Sequence, residues 1–131
     1  MSQINFFAVM VAAVSSFVLG GRWYSPILFG KVWQREAGDG RKPGEGHPAK
    51  IFGLSLLFAL LAAVAYAWLI PAPVDPVRAV MQGLAVGAGV VAASFGINYQ
   101  FANRSATLLL IDGGYYTVLF GIYGLILGLW R

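Results

Sequence analysis

Four long apolar segments constrain what this chain can fold into more than any other feature. They cover about residues 4–21, 51–70, 78–99 and 106–130. A hydrocarbon core about 30 Å thick is crossed by about 20 apolar residues in an α-helix, and a lipid-exposed backbone has to satisfy its own hydrogen bonds. The sequence therefore predicts an all-α, polytopic membrane protein, in which residues 1–131 form one domain of four transmembrane helices in an antiparallel bundle.

Composition supports a membrane protein. The 131 residues are 59% hydrophobic and only 11% charged, whereas soluble domains carry about 25% charged residues. The net charge is +4, and four of the nine basic residues lie in a Gly- and Pro-rich loop at residues 34–50, which favours helix ends and lipid headgroups over nucleic acid. No lysine or arginine precedes the first apolar run, so we expect a retained span and not a cleaved signal peptide.

Turn signals divide the later spans. Two prolines, Pro71 and Pro73, end the second span, and the short connection that follows predicts that the second and third spans are antiparallel neighbours. Ser105 is the expected N-cap of the fourth span.

Basic residues predict the orientation. The side that holds the first and third loops carries Arg22, Lys31, Arg35, Arg41, Lys42, Lys50 and Arg104, while the other side has only Arg78 and Arg131. By the positive-inside rule the long loop faces the cytoplasm, and both termini face the periplasm.

Small residues recur on the third and fourth spans, where they allow close helix packing in a bilayer. The predicted packing positions are Gly83, Gly87, Gly114, Gly121, Gly124 and Gly128. They serve either the interior of one four-helix bundle or the interface of a homo-oligomer or larger complex.

Asp112 is the only carboxylate inside a predicted span. An ionised carboxylate costs at least about 2.5–3.5 kcal/mol at mid-bilayer, so it should find a partner, line a cavity or carry a proton. In an antiparallel bundle the groups near its depth are Arg22, Trp23, Tyr24, Ser25, Asn98, Tyr99, Tyr115 and Tyr116. The first candidate partner is Arg22, with Asn98 and tyrosine hydroxyls adding hydrogen bonds; a backbone amide or Lys31 are the alternatives.

Two interpretations of this cluster stay open. It is either an aromatic belt with one tethering ion pair, or a small cytoplasm-facing pocket that binds a polar ligand, a lipid headgroup or a proton. After Pro26, residues 27–33 are expected to form a short interfacial helix anchored by Lys31 and Trp33, and Trp130 is expected to anchor the opposite end.

Catalytic and cofactor chemistry find little support. The chain has no cysteine and one histidine, His47, which lies in the loop, so neither a metal site nor any other cofactor is expected. Five scattered acids and one histidine offer no nucleophile with its base. An enzyme is therefore not expected, although one that acts on lipid headgroups stays possible.

Three stretches resemble a known family. They are WYSPILFGKVW at residues 23–33, Asn98-Tyr99-x-Phe101, and LIDGGY at residues 110–115, and together they resemble the bacterial small membrane proteins grouped as domain of unknown function 1761. The resemblance implies four spans in a bacterial inner membrane and no established activity. It also implies that the Arg22–Asp112 pair is particular to this chain, because members of that family more often have an apolar residue at the position of Arg22. The matching motif residues are Trp23, Tyr24, Ser25, Pro26, Phe29, Gly30, Lys31, Trp33, Asn98 and Asp112.

Two functions follow as expectations. The first is a non-enzymatic binding or assembly component whose partners are membrane lipids, a small molecule, another protein or further copies of the chain. The second is a small oligomeric transporter or channel that uses Asp112 as a proton or cation site.

Overall fold

A computed structural model describes residues 4–37, 46–71 and 75–130, and every regular element there is helical. The elements are α1 (Phe6–Trp23), α2 (Gly30–Ala37), α3 (Pro48–Leu69), α4 (Pro76–Val86), a π-helical segment (Gly87–Ala92), α5 (Ala93–Phe101) and α6 (Ala106–Leu129). Within these described ranges, four helices are long and apolar enough to cross a membrane: α1, α3, the continuous helix from α4 to α5, and α6. We call them the first to fourth spans. The predicted all-α polytopic class is confirmed.

Local capping explains where the spans begin. The Asn5 side chain accepts a hydrogen bond from the backbone N–H of Ala8 at 3.1 Å, and Ser105, the predicted N-cap, accepts one from Leu108 at 3.1 Å. The third span starts at Pro76, slightly before the predicted position, because Asp75 caps it and proline suits the first helical turn.

The connection after the first span differs from its predicted form. Residues 27–29 lie in a turn, and the short helix runs from Gly30 to Ala37. The turn is held by hydrogen bonds from Phe29 N–H to Trp23 O at 3.0 Å and from Gly30 N–H to Ser25 O at 2.8 Å. The helix therefore enters the predicted loop at residues 34–50, of which 38–45 lie outside the described residues.

The fourth span is the centre of the bundle. Half of its apolar window is buried, against 28% for the first span and 11% for each of the other two. The first span packs against the second and fourth, and the third packs mainly on the fourth. The second and third spans share no extensive contact, so the prediction that they are neighbours is wrong: a short connection limits distance but does not create a packing surface.

Contacts at glycine residues explain why the third span packs on the fourth. A Cβ added at Gly83 would overlap the Phe120 carbonyl, one at Gly124 would overlap the Ala79 carbonyl, and one at Gly87 would lie 2.6 Å from the Thr117 Cα. The backbones are thus in direct contact. Gly121 and Gly128 face side chains of the third span, whereas Gly114 faces the Trp23 ring of the first span. These predicted packing positions serve the interior of a single chain.

The π-helical segment changes the register between these two spans. The contact moves from Gly87 against Thr117 to Ala92 against Gly113, so five residues of the third span match four of the fourth. A π-helix accommodates one residue more than an α-helix over the same path. The π-helical segment therefore accommodates one extra residue of the third span and keeps α5 packed on the fourth span.

Candidate functional site

Both oxygens of the Asp112 carboxylate are bonded to tyrosine hydroxyls. Tyr24 donates to Oδ1 at 2.6 Å, and Tyr99 donates to Oδ2. The side chain of Asp112 is buried, with 8% of the residue exposed. The carboxylate therefore joins the end of the first span and the end of the third to the fourth.

Arg22 is not the partner of Asp112, and that prediction is wrong. Arg22 is exposed, and the ion pair formed within the described ranges joins Arg35 to Glu36 at 3.5 Å. The next residue explains the difference, because Trp23 turns inward and donates its indole N–H to the Ile111 carbonyl at 2.9 Å. Neighbouring residues of an α-helix point about 100° apart, so Arg22 faces outward.

The end of the first span positions Tyr24. Its backbone N–H bonds to the Gly20 carbonyl at 3.0 Å, and the chain then leaves the helix two residues before Pro26, as expected for the residues that precede a proline. Burial, and then the hydrogen bond to Asp112, raises the pKa of the Tyr24 phenol far above its ordinary value. Tyr24 is therefore a neutral hydrogen-bond donor to the carboxylate.

Aromatic rings enclose the carboxylate. Tyr115 lies between Tyr24 and Tyr116, with ring centroids 5.4 Å and 4.8 Å away, and donates its hydroxyl to the Ser16 carbonyl at 2.7 Å. Tyr116 stacks on Phe95 at 5.2 Å. Water is largely excluded, and hydrogen bonds in such a low-dielectric site are stronger than in water.

Two members of this enclosure were missing from the predicted site. Phe95 contacts the Tyr99 ring at 5.6 Å and lies four residues before it, which places both on one helix face. Trp33 contacts Tyr24 at 6.3 Å, where the sequence indicated only a membrane anchor. The i, i+4 spacing was a readable signal for Phe95, whereas nothing in the sequence fixed the return of α2 over Tyr24.

The short helix α2 covers the cluster. Its first residue, Gly30, packs so tightly on the carbonyl groups of Tyr24 and Ser25 that no Cβ would fit. At its other end the Ala37 carbonyl accepts a hydrogen bond from the Arg104 guanidinium at 2.8 Å. The helix thus connects the exit of the first span to the turn between the third and fourth.

Asn98 and Ser25 do not join the carboxylate. Asn98 is exposed and lines a shallow, open depression on the outside of the third span, with Ile97 and Phe101 among its neighbours. Ser25 donates its hydroxyl to the Arg22 carbonyl at 2.7 Å. The expected link from Asn98 to Asp112 is wrong, because Asn98 and Tyr99 are adjacent on one helix and Tyr99 occupies the inward direction.

The chemistry available to this cluster is limited. In the described part of the chain no three His, Cys, Asp or Glu side chains converge as a metal site would require. Among the described residues the carboxylate has two phenols as hydrogen-bond partners, and phenols held in this way are poor nucleophiles. The arrangement is suited to holding three helix ends together.

Comparison with known proteins gives one match. Residues 7–128 match the model of a family described as a protein of unknown function, DUF1761. No curated protein and no solved structure matches the chain. The matched region includes all of α2 and the whole Asp112 cluster, together with nearly all of the four spans.

Proposed function

The chain belongs to the DUF1761 family, which has no assigned activity, so we propose a function from the geometry of the chain itself. The protein is a non-enzymatic membrane protein that associates with further copies of itself through its third span. The Asp112 cluster is the clamp that holds the loop end of each copy together. Each oxygen of its carboxylate already accepts a hydrogen bond from a tyrosine, which supports a structural role for this group.

The outward face of the third span is the observation that carries this proposal. Two amides of the third span, Gln82 and Asn98, are exposed, and neither side chain forms a hydrogen bond within the described ranges. Between them lie the exposed small residues Ala85, Gly89 and Ala93, and a Cβ added at Gly89 would meet nothing within 4 Å. Lipid tails cannot bond an amide, whereas a second helix can approach small residues closely and offer partners.

The absence of cysteine from the sequence allows a direct test. A Gly89→Cys variant has a single thiol at a position with open space, and we expect efficient disulfide dimers in native membranes. Leu61→Cys is the matched control, since Leu61 is 62% exposed on the second span and lies thirteen residues from the start of its helix, as Gly89 does. Equal dimer yields from the two variants, or a purely monomeric native mass spectrum of the parent chain, would remove the proposal.

Transport is the second candidate, and Asp112 is the specific observation that favours it. A buried carboxylate in a membrane span is a recurrent feature of proton and cation pathways, and here two hydroxyl donors contact it. Proton or cation flux into proteoliposomes should then be abolished by Asp112→Asn and unchanged by Asp75→Asn, a change in the exposed cap of the third span. Flux that survives Asp112→Asn would exclude this role.

The membrane and the orientation belong to the same proposal. The protein would lie in a bacterial inner membrane with the loop between its first and second spans in the cytoplasm and both termini outside. Exposed Lys31, Arg35, Lys50 and Arg104 at one end, against Arg78 at the other, support this orientation. A membrane-impermeant maleimide added to intact cells should label Val77→Cys and spare Lys50→Cys; the opposite pattern would reverse the assignment.

A further inference from the structure

The short helix α2 runs between two helix ends. At its start Gly30 packs on the Tyr24 carbonyl, at the exit of the first span. At its other end the Ala37 carbonyl accepts the hydrogen bond from the Arg104 guanidinium at 2.8 Å, and Arg104 belongs to the turn that follows the third span. The helix therefore bridges the first and third spans at the loop end of the bundle.

The side chain of Asp112 joins the same two helix ends. Its donors are Tyr24, at the exit of the first span, and Tyr99, near the end of the third. Arg104 is fixed relative to Tyr99, because its backbone N–H bonds to the Tyr99 carbonyl at 2.9 Å. The Trp33 ring of α2 contacts the Tyr24 ring, with centroids 6.3 Å apart. The helix α2 thus crosses the loop side of the space that holds the carboxylate.

The two ends of α2 are held by different kinds of contact. Its start belongs to a locally bonded turn, in which Phe29 N–H bonds to the Trp23 carbonyl at 3.0 Å and Gly30 N–H bonds to the Ser25 carbonyl at 2.8 Å. Its end is held by the side chain of Arg104, a residue 67 positions further along the chain. A cation suits this position because the carbonyl groups at a helix C-terminus carry partial negative charge.

Little else keeps α2 in place. It has eight residues, whereas isolated helices shorter than about 12–15 residues are marginal in water. Of these eight residues only Gly30 is buried, while Lys31 and Arg35 are exposed. Local opening costs least in a segment with few buried contacts. The bond from Arg104 is therefore a large share of what holds the end of α2.

We propose that α2 is a hinged lid on the loop side of Asp112, with the turn at residues 25–30 as its hinge and Arg104 as its latch. When the latch releases, Trp33 leaves the Tyr24 ring, and water and small cations from the loop side reach the carboxylate. The lid thereby controls when Asp112, the one carboxylate within the four spans, exchanges a proton or meets a cation. This device goes beyond the proposed association and does not depend on it.

Carboxyl labelling of the folded chain tests the lid. The purified chain in mild detergent is treated with a water-soluble carbodiimide and glycinamide, which form an amide at an accessible carboxyl group, and peptide mass spectrometry identifies the modified residues. Arg104→Gln should speed the labelling of Asp112 about threefold to tenfold, as the loss of one hydrogen bond from the closed state would do. Arg78→Gln, which removes an exposed cation at the opposite end, is the matched control and should behave as the parent does. Asp75, which is exposed, is the internal reference.

A second variant loosens the hinge without a change of charge. A Cβ added at Gly30 would overlap the Tyr24 carbonyl, so Gly30→Ala should also speed the labelling of Asp112. Gly21→Ala is its control, since a Cβ added at Gly21 would meet nothing within 4 Å, and it should label as the parent does.

Hydrogen exchange in the parent chain separates opening of the lid from unfolding. Amides of Gly30–Ala37 should exchange before those of the first span, and Asp112 should be labelled while the amides of Ala106–Leu129 stay protected. Labelling of Asp112 only as fast as the fourth-span amides exchange would overturn the lid, and so would equal labelling rates in the parent, Arg104→Gln and Gly30→Ala. The parent measurement decides the question should either variant fail to fold.

Discussion

At the scale of single residues, the environment of Asp112 explains how a carboxylate is held in the fourth span. It lies six residues after Ala106, the first residue of α6, which is a depth of about 9 Å at 1.5 Å per residue. Hydroxyls from the ends of two other spans bond its oxygens, the residue is buried, and the Tyr115 ring packs on Tyr24, one of the two donors. The free-energy cost of burying this carboxylate in a membrane span is thereby offset by hydrogen bonds that also fix the positions of the helix ends.

Removal of the Tyr24 hydroxyl should destabilise the fold. Tyr24→Phe leaves Asp112 Oδ1 without a donor in a buried site, and losing a hydrogen bond to a charged group costs about 1.5–3 kcal/mol. The measurement is the free energy of unfolding in mixed detergent micelles. Tyr123→Phe is the control, since Tyr123 is fully buried and its hydroxyl has no partner in the described chain; its loss should be neutral or stabilising. Equal effects of the two changes would contradict the assigned role of Tyr24.

At the scale of helices, the contact between the third and fourth spans is a backbone contact. Gly83 and Gly87 lie against the main chain of the fourth span, and Gly124 lies against the main chain of the third. Because apolar side chains gain nothing from leaving apolar lipid, van der Waals contact at such close range is the main attraction available to these helices. The glycines therefore determine which two helices form the most extensive contact.

Gly83→Ala should separate these two spans. The new methyl group would overlap the Phe120 carbonyl, and such overpacking costs about 1–3 kcal/mol. Gly89→Ala, on the same span but with open space at its Cβ, should be neutral or slightly stabilising because alanine favours the helix. Unfolding free energies of the two variants are the comparison, and a Gly83→Ala variant as stable as Gly89→Ala would disprove the close contact.

The π-helical segment should tolerate a deletion. Removal of Val90, an exposed residue within it, lets the third span become a regular α-helix while its two flanks keep their contacts with the fourth span. We expect the deletion to leave the free energy of unfolding nearly unchanged, because the α-helix that results has the more common hydrogen-bond pattern. Insertion of one alanine after Val90 is the control and should destabilise the fold strongly, since a second extra residue would rotate Tyr99 about 100° from Asp112. Equal effects of deletion and insertion would refute the register argument.

At the scale of the whole molecule, burial is unequal among the spans. The fourth span contacts the other three and has half of its apolar window buried, whereas the second has 11% buried and packs mainly on the first. Local opening costs least where few contacts are buried. The second span is therefore the peripheral helix of the bundle.

Hydrogen exchange in detergent should report this order. Backbone amides of Pro48–Leu69 are expected to exchange before those of Ala106–Leu129, because the second span can leave while the other three stay packed. Peptides from the first span, which is 28% buried, are the internal reference and should be intermediate. Simultaneous exchange of all four spans would show that the bundle opens as one unit.

Several features were predictable from local sequence, and others were not. Span number, the Ser105 cap and the depth of Asp112 follow from apolar length, capping chemistry and helical rise. Tyr24, Tyr99 and Tyr115 were expected near Asp112 because antiparallel spans bring their ends together. The two wrong predictions about partners of Asp112, Arg22 and Asn98, share one cause: depth does not determine rotation, and each lies one residue before the one that faces inward.

The pattern of apolar and charged residues predicts a four-span helical membrane protein with most of its basic residues at one end, because the bilayer imposes length, backbone satisfaction and charge placement on each segment separately. The pairing of helices, the donors that reach Asp112 and the position of α2 over Tyr24 emerge only in the folded chain. Those outcomes depend on the rotation of each helix about its axis. That rotation is set by contacts between segments far apart in the chain, such as glycine against a carbonyl group or tyrosine against a carboxylate.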